Sequence, residues 1–165
     1  MATPRELRIF EYVNRPFEAV REAMKADPLG LLRRATAAGG QRARSLAVSL
    51  RVDVGAVEVA AEIDVSVGTI VEEPALPGVM APATRLPLRW QAAHAPGLFP
   101  TMDAVLTLYP LGPEETQLDL QGKYRPPGGL LGNAVDALVG HTLAEASVKR
   151  FLEALAAQLG RELPG

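Results

Sequence analysis

Apolar and polar residues alternate over long stretches of this 165-residue chain. The longest alternation runs from Leu46 to Val67 and is interrupted at Gly55, where a tight hairpin is expected. A period of two places one set of side chains on a buried face and the other set in water, which is typical of antiparallel strands. Shorter stretches repeat the pattern at 86–94, 102–109 and 118–124. An antiparallel sheet with one buried face is therefore predicted.

One long helix is expected to close the chain. Pro126 and Pro127 end the strand before it, because proline cannot donate a hydrogen bond to a sheet ladder. No proline occurs from Leu130 to Leu163, and at about 1.5 Å per residue such a helix would be about 50 Å long. Its predicted apolar stripe consists of Leu131, Val135, Leu138, Leu152, Leu155 and Leu159. The predicted fold class is α+β, with a curved antiparallel sheet wrapped around this C-terminal helix.

Two short helices are expected after the first strand, which is predicted at 7–13. Pro16 suits the first turn of a helix, and apolar residues follow at helical spacing. They are Phe17, Val20 and Met24. Pro28 ends this helix, and 29–34 is predicted to form a second helical piece.

Length and composition indicate one soluble globular domain over 1–165, with 48% hydrophobic and 22% charged residues. A net charge of -2 gives no reason to expect a nucleic-acid partner. The absence of cysteine excludes disulfides and thiolate metal sites and suits a reducing compartment. No apolar run is long enough for a transmembrane span, and the N-terminus lacks a signal-peptide core. A cytoplasmic location is therefore predicted.

The strand faces predicted to be buried are almost wholly aliphatic. The clear acidic residues of the strands fall in the outward register, so no pair of carboxylates shares the interior for acid–base catalysis. These acids are Glu58, Glu62, Asp64, Asp103 and Asp119. The two histidines lack metal-ligand spacing. The sequence thus predicts no catalytic residue, no metal and no cofactor.

Ten residues are predicted to line a ligand cavity between the sheet and the final helix. Half of them are apolar or aromatic wall residues, and half carry a polar group that could orient a ligand. The wall residues are Leu88, Trp90, Leu106, Leu120 and Leu138, and the polar residues are His94, Tyr124, His141, Thr142 and Glu145. The predicted partner is a small hydrophobic molecule.

Several of these positions have a second interpretation. A lone Trp such as Trp90 is more often a core residue, and a lone His at a strand end such as His94 is more often a solvated turn residue. Tyr124 could reach the cavity with its hydroxyl or pack on the helix. A small rotation of the helix would turn Leu143 inward, and Glu145 would then pair on the solvent side with a neighbouring helix residue.

The stretch EPALPGVMAPAT at 73–84 is rich in proline and apolar residues. Leu76, Val79 and Met80 could form a lid over the mouth of the cavity. They could equally pack on the sheet as part of an ordinary connector. The sequence leaves both open.

The order of these elements resembles the helix-grip superfamily, which holds START lipid-transfer domains, polyketide cyclase/dehydrase-like proteins and the plant pollen-allergen family. The resemblance is carried by NRPFEAV at 14–20, and by GKYRPPGGLLG at 122–132 before the final helix. It implies a curved sheet gripping the C-terminal helix, two short helices after the first strand, and a hydrophobic cavity. Members bind lipids, sterols, polyketides, quinones or hormones, and some catalyse cyclisation or dehydration. No catalytic motif of the family is matched here.

Three functions follow from these observations. The first is binding or carrying of a small hydrophobic molecule, such as a lipid, quinone or polyketide-like compound. The second is a polyketide cyclase or dehydratase-like enzyme that uses His94, Tyr124, His141 or Glu145. The third is a structural or interaction protein with a filled core. The shortage of inward polar groups favours the non-catalytic binder over the enzyme.

Overall fold

The computed structural model describes residues 4–35, 63–92, 101–125 and 137–165. The predicted hairpin at Gly55, the turn containing His94 and the corner at 126–136 lie outside this part of the chain. All statements below concern the described residues.

The described part of the chain contains a six-stranded sheet and three helices. In chain order the elements are β1 (Arg5–Val13), α1 (Phe17–Ala26), α2 (28–35), β2 (Ile63–Val67), β3 (Val71–Glu73), β4 (Ala83–Ala92), β5 (Thr101–Gly112), β6 (Glu115–Arg125) and α3 (Ala137–Glu162). The strands lie in the order β1-β6-β5-β4-β2, and β3 also pairs with β4. All pairs are antiparallel. The predicted α+β class, with an antiparallel sheet and a C-terminal helix, is confirmed.

The alternation of apolar and polar residues assigns the faces of the sheet as predicted. Leu86 lies opposite Leu106, and Leu106 lies opposite Leu120, so the apolar positions of three strands meet in one row. Residues of the same register are buried along the strands: Leu88, Met102, Ala104, Leu108, Leu118 and Tyr124. Their outward neighbours are exposed or half-buried, apart from the buried Asp119. This buried surface is the inward face of the sheet.

Helix α3 packs its second half against the inward face. The fully buried residues of α3 among those described are Val148, just before this half, and Phe151, Leu152, Leu155 and Leu159 within it, which recur at three- and four-residue spacing. The part of the predicted stripe that falls in this half is therefore confirmed. The earlier residues Leu131 and Val135, and the side chain of Leu138, lie outside the description.

The two short helices complete the core as predicted. Phe17, Val20 and Met24 of α1 are buried, as are Leu31 and Leu32 of α2. These residues form one hydrophobic cluster with the inward face and α3.

Arg15, between β1 and α1, holds the end of α3 in place. Its Nε donates a hydrogen bond of 2.9 Å to the carbonyl oxygen of Leu163, and its Nη2 donates to that of Gly160. Cationic groups at a helix C-terminus satisfy carbonyls that have no partner within the helix and interact favourably with its dipole. The connection between β1 and α1 is thereby joined to the C-terminal end of α3.

The 73–84 stretch forms the tip of the hairpin between β3 and β4. Leu76 pairs with Met80, and Gly78 between them has a φ of +74°, a conformation that favours glycine. Leu76, Val79 and Met80 are exposed, so the structure does not pack them on the sheet. The tip joins β4 at Ala83, about 23 Å along the strand from Trp90 at about 3.3 Å per residue. It therefore lies far from Trp90, one of the predicted cavity residues.

Among the described residues, no helix is both long and apolar enough to cross a membrane.

Candidate functional site

The inward face contains one pair of small residues at its centre. Gly122 of β6 lies opposite Ala104 of β5 on one side and Leu7 of β1 on the other. A Cβ atom at Gly122 would lie 2.6 Å from the Cβ of Ala104 and 2.6 Å from the carbonyl oxygen of Asp103. Since the Cβ positions converge on the inward face, the sheet curves towards that face here. Glycine is required because another side chain would collide with the neighbouring backbone.

Tyr124 follows Gly122 on the same face and introduces a hydroxyl into an aliphatic wall. Its side chain is fully buried, and it lies opposite Met102 and Arg5 in the ladder. Burial raises the pKa of the Tyr124 hydroxyl, and the charge of Glu145 on α3 raises it further. A hydrogen bond from the Arg5 guanidinium opposes this shift in pKa. The hydroxyl therefore stays protonated at neutral pH and can donate a hydrogen bond.

This shift in pKa predicts a loss of stability in alkali. A group whose pKa is higher in the folded state than in the unfolded state retains its proton on folding, so its contribution to stability is lost as the pH rises above the unfolded value. For tyrosine that value is 10.0. We expect the free energy of unfolding of the unmodified protein to fall more steeply above pH 10.0 than that of Tyr124→Phe. Urea denaturation over a pH series measures this difference.

Tyr109→Phe is the matched control for this experiment, because Tyr109 lies in the outward register of β5 and is only half-buried. It removes the same hydroxyl group from the outer face and should change the free energy of unfolding at neutral pH by less than about 0.5 kcal/mol. Parallel slopes for the unmodified protein and Tyr124→Phe would contradict the assignment of the shift to Tyr124.

The structure brings only part of the predicted cavity lining together. The predicted residues that are buried on the inward face are Leu88, Leu106, Leu120 and Tyr124. Glu145 is exposed on α3, although its charge acts on Tyr124. The side chains of Trp90, Leu138, His141 and Thr142, and all of His94, lie outside the described residues. The structure thus brings four of the ten predicted residues onto one buried face, and the membership of all ten in one cavity stays a prediction.

Sequence reasoning missed Arg5, Gly122 and Ala104 as parts of this site. Arg5 continues the inward register of Leu7. A cation in a register that is otherwise apolar could have indicated a polar part of the site. Small residues at two inward positions were another, because they leave space on a face that is otherwise lined by large aliphatic groups. The sequence did not indicate that Gly122 and Ala104 lie directly opposite each other in the sheet.

A broad trough of about 1070 Å³ crosses the sheet on its other face. Two rows of outward residues border it, each running across the strands from β1 to β4. The first row is Glu6, Lys123, Asp103 and Arg89, and the second is Arg8, Gln121, Val105 and Pro87. Between the rows lie the inward positions Leu7, Gly122, Ala104 and Leu88, but the described inward residues on either side of these do not contribute. This trough therefore lies on the outer face of the sheet, away from α3.

The charges along the trough are arranged to satisfy one another. Lys123 lies opposite Glu6 and Asp103 in the ladder, and Asp103 lies 3.5 Å from Arg89. Arg8 forms two hydrogen bonds of 2.8 and 3.2 Å with Asp119, which is only 8% exposed. Such cross-strand pairs stabilise a sheet and leave no surplus charge for a ligand. The trough is a different space from the cavity predicted beside α3.

Among the described residues, no group of three or more histidine, aspartate or glutamate side chains comes together as a metal site.

The combination of a curved antiparallel sheet, two short helices after β1 and a long terminal helix packed on the inward face is the helix-grip fold. No family model matches the chain, and no curated protein matches its sequence. Solved structures match nearly its whole length. A conserved protein from Geobacillus kaustophilus is 14% identical with a TM-score of 0.51, and covers 96% of this chain and 97% of its own.

A protein from Thermus thermophilus is 16% identical with a TM-score of 0.50, covering 97% of this chain and 100% of its own. The ZhuI aromatase/cyclase from Streptomyces sp. R1128 is also 16% identical, with a TM-score of 0.48 and coverage of 99% and 98%. At these identities, the similarity of this chain to the Geobacillus and Thermus proteins shows a shared fold and nothing more.

Proposed function

We propose that this chain binds a small hydrophobic molecule between the inward face of the sheet and the first half of α3. The observation that carries the proposal is the environment of Tyr124. Its protonated hydroxyl is buried beside Met102 in an aliphatic wall, and the charges of Arg5 and Glu145 act on it. Ligand sites are usually apolar with a small number of polar groups that orient the ligand, and this strand end has that composition.

The chemistry of this wall favours one class of ligand. An aliphatic surface binds an apolar body by removing it from water. A tyrosine that keeps its proton donates to an oxygen acceptor, such as a carbonyl. The ligand is therefore an apolar molecule with at least one oxygen function, which includes lipids, quinones and polyketide-like compounds.

Native mass spectrometry of the purified protein tests the proposal, first without addition and then with a naphthoquinone as the probe. We expect a bound small molecule in a one-to-one complex. Loss of one hydrogen bond of about 1.5 kcal/mol in Tyr124→Phe should weaken probe binding about tenfold. Tyr109→Phe on the outer face should bind as the unmodified protein does. If neither a co-purified molecule nor the probe is retained, the binding proposal is wrong.

A second candidate function, a cyclase or dehydratase-like enzyme, is favoured by the charge of Glu145 that acts on the Tyr124 hydroxyl. A protonated phenol can polarise a carbonyl oxygen, and a carboxylate can accept the proton that such a reaction releases. For an enzyme, the molecule recovered after incubation would either have lost one water, which changes its mass, or have cyclised without loss of water, which changes its chromatographic retention at the same mass. Glu145→Gln would abolish that change without abolishing binding. Recovery of the added molecule unchanged would contradict the enzyme and leave binding as the one remaining candidate function.

A further inference from the structure

The hairpin tip between β3 and β4 is an uncharged protrusion. The ten residues PALPGVMAPA at 74–83 contain no charged side chain. Three large apolar residues within them are in water: Leu76 is 50% exposed, Val79 81% and Met80 44%. Scattered apolar residues are normal on protein surfaces, but a contiguous exposed group marks a contact surface.

The tip is held in shape by its own backbone hydrogen bonds. Leu76 and Met80 exchange backbone hydrogen bonds of 2.9 Å in both directions, and the Val79 N–H donates a third, also of 2.9 Å, to the carbonyl oxygen of Leu76. Because residues directly opposite each other in such a pair project from the same side, Leu76 and Met80 share one face of the tip. A preformed tip loses little conformational entropy when it docks. Most of the free energy gained by burying its few apolar side chains therefore remains as binding free energy.

The base of the tip carries charges that are already paired. The Oε1 atom of Glu72 lies 3.3 Å from Nζ of Lys25 and 3.6 Å from Nε of Arg21. The Oε1 atom of Glu73 lies 2.9 Å from Nε of Arg85. Paired charges of both signs do not select a partner of one sign. Contact through this surface is therefore driven by the apolar residues and not by electrostatic attraction.

The size of the tip decides between a protein and a lipid surface. A stable protein interface buries about 1,200–2,000 Å² and uses about 20–30 residues on each side, far more than three large side chains can supply. A lipid interface needs no complementary surface, because apolar side chains simply enter the boundary between headgroups and acyl chains. We propose that this tip inserts Leu76, Val79 and Met80 into the interface of a zwitterionic lipid bilayer. This contact does not depend on the ligand proposed above.

The absence of native cysteine allows a direct test. Val79→Cys is labelled with an environment-sensitive NBD fluorophore and titrated with phosphatidylcholine vesicles. The expected result is a blue shift and a rise in fluorescence. Adding phosphatidylserine or raising the salt concentration to about 0.5 M, where charge interactions are screened within about 4–5 Å, should change the binding little. The same label at Lys149→Cys, an exposed position on α3, should not respond.

Substitution variants test the same contact without a label. Val79→Asp should reduce the vesicle-bound fraction of the full chain about tenfold, because the burial of a valine side chain is lost and a charge must enter the interface. Phe10→Ser removes a comparably exposed apolar side chain from the outer sheet face and should have no effect. Unchanged thermal unfolding of Val79→Asp shows that its fold is intact.

Several outcomes would overturn the proposal. One is an NBD signal that does not respond to phosphatidylcholine vesicles. Another is binding that requires anionic lipid and disappears in salt. A third is a spectral shift that grows with protein concentration in the absence of vesicles, which would make a second copy of the chain the partner of the tip.

Discussion

Phe151→Ala is expected to lower the free energy of unfolding by about 3–5 kcal/mol. Phe151 is among the largest fully buried side chains, and it lies in the stripe through which α3 packs on the inward face. Truncation removes its buried apolar surface and leaves a cavity that the surrounding strands can only partly fill. Urea denaturation followed by circular dichroism measures the change as a shift of the unfolding midpoint at nearly constant slope.

Lys149→Ala is the matched control in the same helix, since Lys149 is exposed. Surface substitutions of this kind usually change stability by less than about 0.5 kcal/mol. A loss below about 1 kcal/mol for Phe151→Ala would mean that the second half of α3 does not pack as the structure has it.

Gly122→Ala is expected to cost about 1–3 kcal/mol, although it adds only one methyl group. The new Cβ would meet the Cβ of Ala104 and the carbonyl oxygen of Asp103, both at 2.6 Å. A backbone carbonyl cannot rotate away as a flexible side chain can. Strands β5 and β6 must therefore separate at this point, which also displaces Tyr124 two residues later. The same urea denaturation measures the loss, and weaker binding of the naphthoquinone probe would accompany it.

Gly160→Ala provides the comparison within the same protein. Gly160 lies in α3, and apart from the neighbouring backbone of the helix itself no atom lies within 4 Å of the Cβ that alanine would add. Replacing glycine in a helix by alanine is expected to stabilise the protein by up to about 1 kcal/mol. If Gly122→Ala were as stable as the unmodified protein, the close approach of β5 and β6 would be wrong.

The inward and outward positions of the strands were predictable because they follow from a local period of two. Leu86, Met102 and Leu118 illustrate this, since each was assigned to the buried face from its own strand alone. The start of α1 after Pro16 and the buried residues Leu152 and Leu155 of α3 were also predictable from local sequence. Proline suits the first turn of a helix, and the apolar residues of α3 recur at helical spacing. The helix-grip resemblance, which was drawn from the order of these elements, correctly implied that the sheet packs on the C-terminal helix.

The pairing of the strands was not predictable. Arg8 and Asp119 are separated by 111 residues, and nothing near either one in the chain indicates that they form an ion pair. The trough on the outer face, with its alternating charges, is visible only when the rows across the strands are aligned. The 73–84 stretch was left between a lid and a packed connector, because local sequence does not state whether apolar residues in a turn find a partner.

Local chemistry thus decides which residues of this chain are helical or extended and which side of each strand faces the core. It does so because steric limits and hydrophobic burial act over a few neighbouring residues. The folded chain alone decides that Gly122 meets Ala104, that Tyr124 lies beside Arg5 and within the field of Glu145, and that Val79 stands in water. These relations depend on the register between distant segments, which is set when the whole inward face packs against α3.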